Sequence, residues 1–191
     1  MTTRIDISPG LYILAAAGLL LLPIHAFVSA IFTATFHELC HIVTLALFRI
    51  PIHKISVGIG GAKIHVPEMN VWQEFISAAA GPAGSIFLWL THRQFPVVAV
   101  FGLIQGVFNL LPIYPLDGGR MLRCILESFI PGFAKQISTV VGYVTVGCVM
   151  WFVQRYFPHN LSIIASVMIL AQCRKEKLLA KMGRNRYNSF D

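Results

Sequence analysis

The length of the apolar blocks limits most strongly what this chain can fold into. The first block, "LYILAAAGLLLLPIHAFVSA" (11–30), follows the short head "MTTRIDISPG", and blocks of similar character recur along the 191 residues. With 56% hydrophobic and 12% charged residues and a mean hydropathy of +0.71, the chain lacks the charge needed to cover a soluble domain of this size. Long apolar blocks broken by short polar stretches are the pattern of a polytopic membrane protein. Six spans can be read: one ending near Pro23, then about 26–48, 71–91, 96–114, 135–153 and 159–173. Between the second and third lies "IPIHKISVGIGGAKIHVPEMN", β-branched and glycine-punctuated, which predicts a hairpin turning at Gly60-Gly61. The fold class expected is therefore all-α and polytopic, about six transmembrane helices with a small β-hairpin between the second and third. A secretory signal cleaved after "VSA" (28–30) competes for the first block, but it would leave six residues before His37 and cut the next helix short. An uncleaved span is the better reading. No repeat, low-complexity linker or separate soluble domain stands out, so residues 1–173 read as one membrane domain and 174–191 as a basic cytoplasmic tail.

The formal net charge of +7 invites nucleic acid as a partner, but the distribution of charge argues against it. Six of the 15 Lys and Arg fall in the tail and most others sit at the ends of apolar blocks, without an interleaved aromatic surface. With six spans both termini share a side. Arg4, Arg49, Lys54, Lys63, Arg120, Arg123, Lys135 and the tail fall on it, and only Arg93 and Arg155 lie opposite. Such a bias predicts cytoplasmic termini. The four cysteines, Cys40, Cys124, Cys148 and Cys173, lie in or beside apolar segments without CxxC spacing, which predicts buried thiols rather than a disulfide framework. His25, His53, His65, His92 and His159 fall at span ends or in loops, where interfacial or solvated roles are expected.

Against this background, "TATFHELCHIVTLALF" (33–48) places two histidines and a glutamate inside an apolar helix. Ionisable groups at membrane depth cost several kcal/mol unless they are paired or metal-bound, so they are functional candidates. His37 and His41, four apart, share one helix face one turn apart and can bind a single Zn²⁺ through ring nitrogens at about 2.0–2.1 Å. Glu38 projects to the side, where it can take a proton from an attacking water and pass it to a leaving amine. HExxH alone arises by chance on helices, though burial of three polar groups in a span weakens that explanation. A catalytic zinc needs a third protein ligand and an open position. "FNLLPIYPLDGGRML" (108–122) offers Asp117, after Pro112 and Pro115 and before Gly118-Gly119, where broken helix and close-approaching backbone can aim a carboxylate inward. Taken alone, Asp117 would be read as the cap of a following helix, "GRMLRCILESF".

HELCH on an early span, followed some 70 residues later by N-x-x-P-x-x-P-L-D-G-G-R, resembles the site-2 protease family of intramembrane zinc metalloproteases. The resemblance implies that His37, His41 and Asp117 hold one catalytic zinc per chain and that Glu38 is the general base. It further implies that Asn109 positions substrate or polarises its carbonyl. The compact build, with no PDZ-like insert between the motifs, is most similar to the sporulation members, which process a membrane-associated sigma-factor precursor. The partners implied are a membrane-associated protein substrate, the lipid bilayer of a bacterial cell and a regulatory membrane protein. Two departures are visible. The 18-residue tail leaves no room for a nucleotide-binding CBS domain, and Cys40 stands where glycine is common. Cys40 is expected to pack, because a fourth ligand would close the site to water. "SAAAGPAGS" (77–85) is similar to the family's glycine-proline motif on the third span, without the asparagine often found there; ordinary helix packing also explains it. The hairpin could offer an edge strand to an extended substrate or serve as a simple connector. A catalytically inactive scaffold and a metal transporter are the rivals. Every motif residue is present, against the first, and no repeated halves are visible, against the second.

Overall fold

Twenty-four consecutive residues without glycine or proline, Ile24–Leu47, form the helix around which the N-terminal part is arranged (α2). Its buried positions, Ser29, Thr33, His37, His41 and Leu45, recur every fourth residue and so make one narrow, mostly polar face. The helix ends in a Schellman motif: Ile50 N–H donates to the Leu45 carbonyl and Arg49 N–H to that of Ala46, each at 2.9 Å. Arg49 takes the left-handed conformation this motif requires (φ 57°).

The computed structural model describes residues 4–58 and 61–156 and divides into two units, Met1–Leu111 and Pro112–Asp191. In the first unit a strand, β1 (Arg4–Ile7), leads into α1 (Pro9–Leu21), which starts with proline at its first position and stops because Pro23 holds Leu22 extended. Phe27 of α2 lies over Gly18 of α1, where an added Cβ would come within 2.7 Å of the ring. After α2 come β2 (Lys54–Gly58) and β3 (Gly61–His65), paired antiparallel with Gly58 opposite Gly61. β1 pairs with β2 in parallel, Arg4 opposite Lys54 and Ile7 opposite Val57, so the sheet order is β1-β2-β3. Parallel neighbours need a long crossover, and α1 with α2 supplies it. The head and the hairpin therefore lie together, with α1 leading away from the sheet and α2 returning. An exposed ion pair between Asp6 and Lys54 decorates the sheet, and the ammonium holds the Asp6 carboxyl below its ordinary range.

α3 (Val71–Phe87) begins with a capping box: Gln73 N–H donates to the Asn70 side chain at 2.8 Å, and Asn70 N–H to that of Gln73 at 3.2 Å. It contains Pro82 and continues as one 3₁₀ turn, Leu88–Thr91. α4 (Pro96–Asn109) packs on α3 through Gly102 and Gly106; added Cβ atoms there would lie 2.7 Å from the Ser85 carbonyl oxygen and 3.1 Å from that of Pro82. In the second unit, α5 (Asp117–Phe129) precedes α6 (Ala134–Tyr156). The segment before α5 runs so close to its first turn that a Cβ on Gly119 would stand 2.4 Å from the Ile113 carbonyl carbon, while Gly142 of α6 approaches Pro112.

The fold is mostly helical with one small sheet, which refines the sequence reading in two places. The predicted hairpin is there, but as two strands of three: β1 comes from the head, where four exposed residues gave no pattern. Among the described residues two helices, Ile24–Leu47 and Ala134–Tyr156, are long and apolar enough to cross a membrane, and six such helices are not found. The shorter apolar helices are Pro9–Leu21, cut by Pro23, and Pro96–Asn109, cut before Pro112 and Pro115; 13 and 14 residues make only about 20 Å of helix. The sixth span at 159–173, the tail at 174–191, His159, Cys173 and the turn residue Gly60 lie outside the described residues. Only 22% and 17% of the two long apolar windows is buried, so these helices face outward along most of their surface, as lipid-facing helices do and core helices of soluble proteins do not.

Replacing Arg49 by glycine should relieve a left-handed backbone cost of about 1 kcal/mol, and valine there should deepen it. Thermal unfolding of the detergent-solubilised protein should show R49G above, and R49V below, the wild-type midpoint.

Candidate metal centre

The polar face of α2 is covered by the smallest residues of α3. Ser77, Ala78, Gly81, Pro82 and Ser85 are its buried positions. Gly81 lies directly on the two imidazoles: a Cβ there would stand 2.2 Å from His41 Nε2 and 2.8 Å from His37 Cε1. No side chain larger than hydrogen fits. One turn away, Gly84 leaves the notch that receives the Cys40 thiol, whose Sγ would be 2.2 Å from an added Cβ. Cys40 thus packs between helices, with glycine on α3 making the room.

α3 also orients both rings. His41 Nδ1 donates to the Ser77 carbonyl at 2.6 Å; since a carbonyl can only accept, the proton sits on Nδ1 and Nε2 presents its lone pair. His37 Nδ1 lies 2.9 Å from Ser85 Oγ. The two Nε2 atoms then face each other at 3.2 Å, with the rings nearly perpendicular. Two nitrogens about 2.05 Å from one tetrahedral zinc would stand about 3.3 Å apart. The pair therefore fits a shared zinc ion, and hydrogen bonds at the remote nitrogens are the usual support of metal-binding histidines. His37 and His41 are 3% and 6% exposed, so neither can rely on water.

Glu38, adjacent in sequence but on another side of α2, accepts from Ala62 N–H at 3.3 Å, which places its carboxylate at the start of β3. Asn109 is half-buried at the end of α4, where its amide donates to the Gln105 carbonyl one turn back at 3.0 Å. In the second unit, Asp117 is the first residue of α5. The residue in the capping position is Leu116 and no side-chain cap is formed, so the capping role open to Asp117 from sequence is not the one it plays. Its carboxylate is buried, lies in the favourable first turn of the helix, and stands 3.6 Å from the Arg120 guanidinium. His37 and His41 in the first unit and Asp117 in the second are all buried side chains of metal-ligating types.

Ser77, Gly81, Ser85 and Ala62 were not singled out individually by sequence reasoning. The first three lie within "SAAAGPAGS", where the four-residue step from Gly81 to Ser85 matches that from His37 to His41. The Gly102 to Gly106 spacing was equally legible. Ala62 acts through its backbone and leaves no signal. His25, His53, His65 and His92 are exposed, and His92 stacks on Trp89 at 5.4 Å.

If Gly81 is what admits the imidazoles, Gly81→Ala should abolish stoichiometric zinc binding, while alanine-to-serine exchange at the exposed Ala83 should leave it unchanged. Metal analysis of the two purified variants checks this.

Residues 76–149, from α3 into α6, match the model of Peptidase family M50. Stage IV sporulation protein FB of Bacillus subtilis is 29% identical over 142 residues, covering 67% of this chain and 49% of that protein. Zinc metalloprotease MJ0392 of Methanocaldococcus jannaschii is 30% identical over 118 residues, covering 53% of this chain and 34% of its own length. The chain thus spans half or less of these relatives. In fold it is similar to the Site-2 Protease from Methanocaldococcus jannaschii, with a TM-score of 0.68 at 21% identity, covering 92% of this chain and 91% of that one. With a zinc-type histidine pair on an apolar helix and a family match running through the DGGR segment, the chain is similar to peptidase family M50, the site-2 protease family.

Proposed function

We propose that this protein is an intramembrane zinc metalloprotease that hydrolyses a peptide bond in or near a transmembrane segment of a membrane-associated protein. The observation that carries this reading is the buried histidine pair, anchored at both Nδ1 atoms and presenting both Nε2 atoms at 3.2 Å. In this reading His37 and His41 hold one zinc ion per chain and Asp117 is the third ligand. Zinc, when bound, supplies Lewis acidity and makes water acidic enough to act as a nucleophile near neutral pH. Glu38 is the general base: it takes the proton of the attacking water and returns it to the leaving amine. Its contact with Ala62 N–H supports that role, because the carboxylate is held at the edge strand of the sheet. A substrate unwound into an extended segment could pair along β3 and bring its carbonyl past Glu38. Asn109 would contact such a substrate after releasing its bond to the Gln105 carbonyl.

The histidine pair lies well inside α2, one of the two helices long and apolar enough to cross a membrane. A six-span topology with cytoplasmic termini accounts for the Lys and Arg bias. The shared sheet of β1 and β2 supports it, since the topology requires the head and the hairpin to lie on one side. Residues 71–91 make about 30 Å of helix, enough to cross the bilayer. Trp72 and Trp89 lie near its two ends as interfacial anchors. The similarity to a sporulation protein supports a substrate of the sigma-factor-precursor kind, with a membrane protein regulating access.

Glu38→Gln should retain zinc while proteolysis of a co-expressed membrane-anchored sigma-factor precursor falls about 10²–10⁴-fold. Asp117→Ala should lose or weaken zinc as well as cleavage. Normal cleavage by E38Q, followed by immunoblot, would sink the mechanism. A metal-free wild type, purified without chelators, would sink the site.

A further inference from the structure

Along α4, "PVVAVFGLIQGVFN", every residue is apolar or glycine except two primary amides, Gln105 and the terminal Asn109. One face of the helix is committed: Ala99, Gly102 and Gly106 are buried where α4 packs on α2 and α3. The opposite face, with Ile104, Val107 and Phe108, is exposed. Gln105 and Asn109, four residues and so one turn apart, are half-buried along the border between the two. A polar side chain on an apolar helix is usually explained by a bond to a neighbouring helix. Gln105 has no such bond: among the described residues its side chain makes no hydrogen bond, and none of their fully buried side-chain polar atoms lacks a partner. Its amide is therefore open. We propose that Gln105 is a substrate-binding residue, forming with Asn109 an amide ladder for the main chain of an extended peptide segment. This rests on the proteolytic function proposed above.

The chemistry of the substrate favours amides here. A transmembrane segment that unwinds loses its internal hydrogen bonds where no water replaces them. Each freed residue then presents one donor and one acceptor, and a primary amide offers both in return. Four helical residues rise about 6 Å and two residues of an extended chain span about 6.6–6.8 Å, so the two amides match peptide groups that point the same way. A hydroxyl would satisfy itself on the carbonyl one turn back, as Ser29 does on His25. A charged group would add the cost of desolvation. The border position fits as well, because a segment arriving sideways from lipid meets the edge of the exposed face before the buried one. Contacts of this kind select a segment that unwinds readily and are indifferent to its side chains.

The test uses the full-length protein in detergent and Gln105→Met, which keeps the length and removes the amide. In a Glu38→Gln background, made to hold substrate without cutting it, Q105M should capture the membrane-anchored sigma-factor precursor about 10-fold more weakly, with zinc content and thermal midpoint unchanged. With Glu38 intact it should raise KM about 10-fold and leave kcat within about 2-fold. Ile104→Met, on the exposed face, should change neither capture nor KM. Unchanged capture and KM in Q105M overturn the proposal. Loss of zinc or of thermal stability in Q105M also overturns it, since Gln105 would then be structural, and so does equal weakening by I104M. A wild type that takes up zinc but neither captures nor cleaves the precursor would defeat the functional reading and this inference with it.

Discussion

The contact on which the N-terminal unit depends is the bare backbone of Gly81 against two imidazoles. A helix carrying His37 and His41 in apolar sequence can be buried only if the helix covering it brings almost no side chain to the interface. α3 meets that condition with Gly81 and Gly84, and α4 closes on α3 through Gly102 and Gly106. Three helices are drawn to near backbone contact around one polar face. Close approach also lets α3 support the rings: a carbonyl and a hydroxyl can reach Nδ1 atoms only when the helix bearing them lies that near.

Satisfying polar groups in an apolar setting explains the rest of that face. Ser29 and Thr33 return their hydroxyls to carbonyls of their own helix, so they are polar in composition but not in demand. The imidazoles cannot do this, because a ring nitrogen points away from the helix that bears it. Each has one nitrogen anchored on α3 and the other directed at its neighbour. The 3.2 Å between the two Nε2 atoms suits a cation shared by both rings.

In the second unit the same device appears in another form. Gly119 admits the 113–114 backbone to the first turn of α5, and the chain enters the helix with Asp117 already in place as its first residue. The prolines at 112 and 115 remove donors and limit backbone angles, so the segment packs as a rigid wedge instead of continuing a helix. This accounts physically for a carboxylate preceded by prolines and followed by two glycines.

Much of this was legible in the linear order of residues. Helical spacing puts His37 and His41 on one face whatever surrounds them, the apolar blocks demand lipid, and Pro-rich and Gly-rich punctuation marks Asp117 as special. Local periodicity and composition carry all of that. The strand Arg4–Ile7 was not legible, because a four-residue exposed strand exists only through its ladder to β2, fifty residues on. The span read as 96–114 was overestimated, because its helix ends at Asn109, ahead of Pro112 and Pro115. The tautomers of the histidines, the fit of Cys40 into Gly84 and the Ala62 contact to Glu38 depend on distances between chain segments remote in sequence. By itself, then, the sequence determined which side chains could do chemistry and that they would be buried in an apolar helix. Only the tertiary structure decided how their remaining hydrogen-bonding atoms are met, because those partners come from other helices and a strand edge and act partly through backbone atoms that every residue shares.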